Sequence, residues 1–264
     1  MERHVVSAAL AVSRASTPPE VRSQASNWLD SWARTDDAPT WEAYANLIGL
    51  FFPSERSGGG TTDEVLQLAA ETAPAGTPRP TLENDLAGAQ MLVLATLHAK
   101  IRREYAASPI LSVQRPDVAA RLREGLWSAL SQSGDFNAPL AGHLCSCAAA
   151  VAARSPGGAR DIVSTCHGSL VAAASLSVSA VSPGPPRLSP WAALKMLACL
   201  PDEADLSEAT GSEIDAELEG CCRAVLDGTT WVVATVTRGE SGGGGAGGDR
   251  RGYGAQGDRV RTET

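Results

Sequence analysis

Paired Cys-x-x-Cys motifs are missing from this chain, histidine is limited to His4, His98, His143 and His167, and no long run of lysine or arginine occurs. Each absence excludes something. Without a clustered cationic face there is little to neutralise phosphates, and the formal net charge of −8 argues against nucleic acid as the main partner. An acidic surface suits basic protein partners and bears mostly on solubility and association rate. The six cysteines (Cys145, Cys147, Cys166, Cys199, Cys221, Cys222) are scattered among alanine and leucine, with no small-domain framework around them. They read as reduced, buried thiols of a nuclear or cytosolic protein.

The few histidines join no nucleophile-elbow pattern. His143 and Cys147 stand four apart, a spacing that seats two zinc ligands on a helix, with Cys145, Cys166 and His167 nearby in sequence. Cys147 falls on an apolar stripe, however, and core packing is the plainer reading. Glu20, Glu64 and Glu213 stand at helix starts, where capping accounts for them. No set supplies nucleophile, base and electrostatic stabiliser together, so the expectation is no catalysis, no metal and no cofactor. The glycine-rich residues 241–248 lack the Lys-Ser/Thr end and the following helix of a phosphate loop. The most apolar long stretch, residues 162–181, carries His167 and a series of serines, and reads as a buried helix plus loop rather than a membrane span. Residues 1–12 are too short and too interrupted for a signal peptide.

What remains is apolar bulk arranged with helical period. Hydrophobic residues make up 43 % of the 264, enough for a core, and the aromatic share is small but half tryptophan. Alanine supplies much of the rest and favours helix. Val5, Val6, Ala9 and Leu10 start a first helix. Thr17-Pro18-Pro19-Glu20 predicts a capping box with Pro18 at the first helical position, and Val21, Ala25, Trp28, Leu29 and Trp32 then share one face. Trp41, Tyr44, Ala45 and Ile48 make a third helix, and Thr61 to Glu64 caps a short one through Leu68 and Ala69. After a loop at residues 74–80, Leu82, Leu86, Ala89, Val93, Leu97, Ile101 and Tyr105 define a long helix.

Pro116 opens a helix with Val118, Leu122, Leu126 and Leu130 inward. Leu140, Leu144, Cys147, Ala148 and Val151 make another, and Ile162, Cys166, Leu170 and Ala174 a weaker one. Ser189-Pro190 caps a helix through Trp191, Leu194 and Leu197, which ends at Pro201. A last one carries Ile214, Leu218, Cys221, Cys222 and Val225. The segment TTWVVATVT at residues 229–237 has strand propensity but no partner strand, so helix is expected there too. From Gly239 onward the composition predicts a disordered tail. About ten helices at a spacing near 22 residues make about five pairs, the period of HEAT-type repeats. The expected fold is therefore all-α, an α-solenoid of about five HEAT-like helix pairs over residues 1–238, with a disordered glycine-rich tail at 239–264.

The opening "ALAVSRASTPPEVRSQASNWLDSWARTDDAPTWE" resembles the first helix pair of importin-β-superfamily receptors: a helix, a proline-containing turn, then Arg22, Ala25, Trp28 and Leu29, with Trp41 opening the second repeat. The closest branch is the transportin-SR and importin-thirteen group. Collinear stretches are "AQMLVLATLHAKIRREY", "LREGLWSALSQSGDFNAPLAGHLCSCAAAVAAR", "SPWAALKMLACLPDEAD" and "GSEIDAELEGCCRAVLDG", in family order over about residues 5–228. The resemblance implies the N-terminal part of a karyopherin that binds Ran-GTP on its B helices. That binding would couple to cargo loading or release during transport past nucleoporins, between nucleus and cytoplasm. In that branch cargoes include Ser/Arg-rich splicing factors. The implied Ran contacts, placed opposite the packing stripes, are Asn27, Asp30 and Arg34 on the second helix and Gln90, Lys100 and Arg103 on the long one. Residues 53–80 would be an insertion within the second repeat and 178–188 a smaller one. A full receptor has several hundred more residues, so the chain is expected to be a fragment, a truncated product or a reduced relative. The alternative is a helical-repeat scaffold or adaptor without Ran binding. No membrane insertion is expected.

Overall fold

A computed structural model describes residues 1–53, 61–132, 138–175 and 188–204, with side chains described for all of these except 61–63, 171–175 and 204. Regular structure among them is entirely helical: α1 Glu2–Ser13, α2 Pro19–Ala33, α3 Ala38–Phe51, α4 Thr61–Glu71, α5 Arg79–Glu104, a π-helical turn Ile110–Gln114, α6 Pro116–Ser131, α7 Ala138–Ala153, α8 Gly158–Ser175 and α9 Pro190–Ala204. The expected last helix, the TTWVVATVT segment and the glycine-rich tail all lie outside the described residues.

The long helix α5 forms where its stripe predicts. Leu82, Leu86, Ala89, Val93, Leu97, Ile101 and Tyr105 are all buried, one per turn along 26 residues. α5 packs against α1, α2, α4 and α7, so its stripe meets neighbours along its length. α7 is apolar nearly all round, with Leu140, Leu144, Cys145, Cys147 and a run of alanines inside. Such a helix belongs between others, and it packs on α5, α6, α8 and α9. The α7–α8 corner turns on Gly157 in the left-handed region (φ +70°). A Cβ on the following Gly158 would meet the Ala152 carbonyl oxygen at 2.7 Å, so both positions need glycine.

The expectations fail in α2 and α9. α2 starts at Pro19, with Pro18 as its N-cap and no side-chain cap bond, so Thr17 does not close the expected box. Leu29 and Trp32 are buried, but Val21 and Trp28 are 46 % and 40 % exposed. α2 packs chiefly against α1, with a smaller contact to α5. Trp28 stacks on Trp32, centroids 6.2 Å apart and rings nearly parallel, so half its surface finds cover locally.

α9 corrects the sequence reading more sharply. Ser189 does cap it, accepting from the Ala192 N–H at 3.2 Å. Yet Trp191 and Leu194 are exposed, and Ala192, Ala193, Met196 and Leu200 are the buried residues instead. Small side chains let α9 lie close against α7 and α8. Nor does Pro201 stop the helix, which runs on to Ala204. A proline removes one backbone bond, and Glu203 in that last turn is tied by ion pairs to His98 of α5 and to Arg154 just past α7.

The described part of residues 53–80 carries a helix, α4. α4 packs on α1, α3 and α5 and buries Val65 and Ala69. Arg14, 5 % exposed at the end of α1, donates to Asp85 Oδ2 at 2.9 Å and Thr72 Oγ1 at 3.0 Å, and also to the Ala69 carbonyl. One guanidinium thus joins α1, the end of α4 and α5.

Candidate functional site

Two polar nodes and one groove are candidates for recognition. The first node surrounds the α2–α3 turn. Asp37 caps α3 by accepting from the Thr40 N–H at 2.8 Å. Asp36 accepts from Trp41 Nε1 at 2.9 Å and from Ser108 Oγ at 3.3 Å. Against this turn lies the C-terminal part of α5. Lys100 is fully buried: its Nζ donates to the Thr35 carbonyl at 2.8 Å, pairs with Glu104 and sits 4.6 Å from the centre of the Trp41 ring. Arg103 donates to the Ala33 carbonyl at 3.4 Å. Two cations therefore meet the carbonyls at the end of α2, where the helix dipole is negative.

Of the six residues expected to face a partner, the structure gathers five around α2 and its end. Asn27, Asp30 and Arg34 are exposed, with Asp30 and Arg34 paired at 3.0 Å along the helix. Arg103 is half-exposed beside Glu104. Lys100 does not fit the expectation of a position opposite the packing stripe, because it lies in the core. Its position three after Leu97 puts it on the edge of that stripe, and Trp41 and Glu104 supply the partners that make burial tolerable. Gln90 lies three to four turns up α5, half-buried, with its Nε2 3.4 Å from the Phe51 carbonyl.

The second node lies between α5, α7 and α9. Glu203 is 4 % exposed, with His98 Nε2 at 2.8 Å, Arg154 Nη1 at 3.1 Å and Arg102 Nε at 3.7 Å. Burial alone would raise the Glu203 carboxyl. The His98 hydrogen bond and the charges of His98, Arg102 and Arg154 outweigh it and hold the group below its ordinary value of 4.5. His143 is pushed down from 6.5, first by burial and then by His98. A depressed histidine favours folding above 6.5 and opposes it as pH falls, since the native state then resists a proton the unfolded chain takes. His143→Gln is therefore expected to flatten the loss of stability below pH 6.5, read from urea midpoints at stepped pH.

The cysteines are part of this interior. Cys147 Sγ donates to the Leu94 carbonyl at 3.3 Å and Cys145 Sγ to the Ala192 carbonyl at 3.7 Å. Burial pushes the Cys145 thiol up to about 12 and Cys147 higher still, which leaves both poor nucleophiles. Among the described residues, no three or more His, Cys, Asp or Glu side chains gather as a metal site, and His167, considered above with Cys147, is exposed on α8. No described helix is long and apolar enough to cross a membrane.

The groove runs between α6, α7 and α8, about 450 Å³ in volume, floored by Leu126, Trp127, Val151 and Ile162 with Glu124 and Asp161 at its rim. Sequence periodicity gives no sign of it, because a groove is set by how three helices splay rather than by any one stripe. No family model, curated protein or solved structure matches the chain.

Proposed function

We propose that the chain is the N-terminal part of a nuclear transport receptor of the importin-β superfamily, binding Ran-GTP and contributing to protein transport between nucleus and cytoplasm. The observation that carries this reading is the packing order. α6 packs on α7 and α8 on α9, while α3 lies on α6, α5 on α7 and α7 on α9. These contacts are part of the pairing that a HEAT-type solenoid requires, with α3 and α5, and α6 and α8, in little contact, and the motifs that resemble the receptors follow the same order. The first pair departs from a simple stack, since α1 packs on α5 as well as on α2.

The surface offered to Ran is the exposed α2 face with Asn27, Asp30 and Arg34, extended by Arg103. Lys100 acts beneath it by fixing the end of α2, and Gln90 stands apart. Titrating the chain with Ran loaded with a non-hydrolysable GTP analogue is expected to show saturable binding at about 10 μM or tighter. Loading with GDP should abolish it, and combined Arg34→Ala and Arg103→Ala should weaken it about tenfold. Absence of binding, with helicity intact by circular dichroism, would count decisively against the receptor. Cargo proteins, among them Ser/Arg-rich splicing factors, and nucleoporins are partners of the same proposal.

The α6–α8 groove favours a second reading, a helical-repeat scaffold without Ran binding, because it sits on elements away from α2. A stable partner retained equally with either nucleotide, and lost on Trp127→Ala, would select that reading.

A further inference from the structure

α6 and α8 both pack on α7 but hardly on each other, and the groove of about 450 Å³ lies where they part. Its volume falls in the range of ligand pockets and is about three times that of a 150 Å³ cavity that holds one benzene. Ala148, Val151 and Ala152 of α7 line it together with Leu126 and Trp127 of α6 and Ile162 of α8. Three of its four hydroxyls have their protons committed: Ser131 donates to the Ser128 carbonyl at 2.7 Å, Ser155 to the Val151 carbonyl at 2.8 Å and Thr165 to the Asp161 carbonyl at 2.8 Å. The walls are helices, and the described residues hold no strand edge. An extended segment laid here would find no ladder for its own N–H and C=O groups. A helix brings those groups already satisfied and needs only side chains to fill the space.

The charges at the rim select among helices. Glu124 comes from α6 and Asp161 from the first turn of α8. Both are exposed, and neither carboxylate has a hydrogen-bond or ion-pair partner among the described residues. Arg123 is the one cation among the described residues that line the groove, so carboxylates outnumber it two to one. We infer that the groove seats an amphipathic helix of a partner protein, with its apolar row inside and lysine or arginine on both flanks to meet Glu124 and Asp161. The formal net charge of −8 favours the same partner at long range. This names the partner class for the groove of the second reading and rests on that reading, not on Ran binding.

The test is fluorescence anisotropy of labelled synthetic peptides titrated with the native full chain. The probe is a helix about as long as the 16 residues of α7, with leucine on one face and lysine on both flanks. Saturable binding is expected at about 50 μM or tighter, weakened about tenfold when glutamate replaces every lysine and lost when serine replaces every leucine. Glu124→Lys combined with Asp161→Lys should invert the preference, so that the glutamate peptide binds better, with helicity intact by circular dichroism. Thr165→Trp, which fills the groove from its exposed lip, should abolish binding of both peptides. No saturable binding of the leucine–lysine peptide overturns the inference. Equal binding of the serine peptide also overturns it, by showing general attraction to an acidic chain, as does a lysine preference that survives the double reversal. An acidic or uncharged partner lost on Trp127→Ala overturns the basic helix and leaves the scaffold reading standing.

Discussion

Lys100→Ala is expected to lower the free energy of unfolding by about 3–5 kcal/mol, the cost of breaking a buried charge pair by removing one partner. The substitution does three things at once. It strips Glu104, whose side chain is only 18 % exposed, of its main cation. It leaves the Thr35 carbonyl without its donor. And it removes the ammonium from the Trp41 ring, a contact worth about 2 kcal/mol when desolvated. Lys100→Met keeps the aliphatic stem against Trp41 but not the charge, so it should recover a minority of the loss. Urea midpoints for the three proteins at one pH check this. Equal stability of Lys100→Met and the unaltered chain would show that packing, not charge, is what the buried lysine contributes. If the surface proposed for Ran depends on the end of α2, both variants should also weaken the proposed Ran-GTP binding while Lys100 itself stays out of contact.

Lys100 also marks how far the sequence could be read. The α5 stripe was legible because its seven apolar residues share one face, and a helix with neighbours along its length has no alternative to burying them. The same held for α1, α3, α6 and α7. It failed for α2 and α9, where apolar residues occupy more of the circumference than one neighbour covers; periodicity then finds the helix without saying which face is inside. The π-helical turn at Ile110–Gln114 was missed for a different reason. Pro109 and Pro116 bracket it, which advertises a break, but nothing local distinguishes an i→i+5 turn from a loop.

The buried charges were half-visible. Glu203 stands three after Leu200, Arg154 three after Val151, and Arg14 four after Leu10, each at the edge of an apolar stripe. A charge at such a place is either a fault in the helix or half of a buried pair, and the partner decides which. Those partners lie 71 residues away for Arg14 and Asp85 and 105 for His98 and Glu203. Only the packed fold brings them together, so the sequence shows the question and the tertiary structure answers it.

Glu203→Ala is expected to cost about 3–5 kcal/mol, a fall of about 10 °C in Tm for a domain of this size. The reason is the company the carboxylate keeps. Arg154, with 4 % of its side chain exposed, would be left as a buried cation whose remaining bond goes to the Ala150 carbonyl, and His98 would lose its partner. Arg102, 40 % exposed and 3.7 Å away, can turn to solvent and should contribute little. The node also holds the last turn of α9 past Pro201, so its loss should free that turn as well. The pH dependence gives a separate signature. A carboxyl held below 4.5 in the folded state stabilises the fold above that pH, and the contribution is lost as pH falls through the lowered value. Glu203→Gln keeps the shape and one acceptor, so it should cost less at neutral pH than alanine while flattening the acid side of the stability profile. An acid limb unchanged in Glu203→Gln would place the acid sensitivity elsewhere and leave Glu203 as a packing group alone.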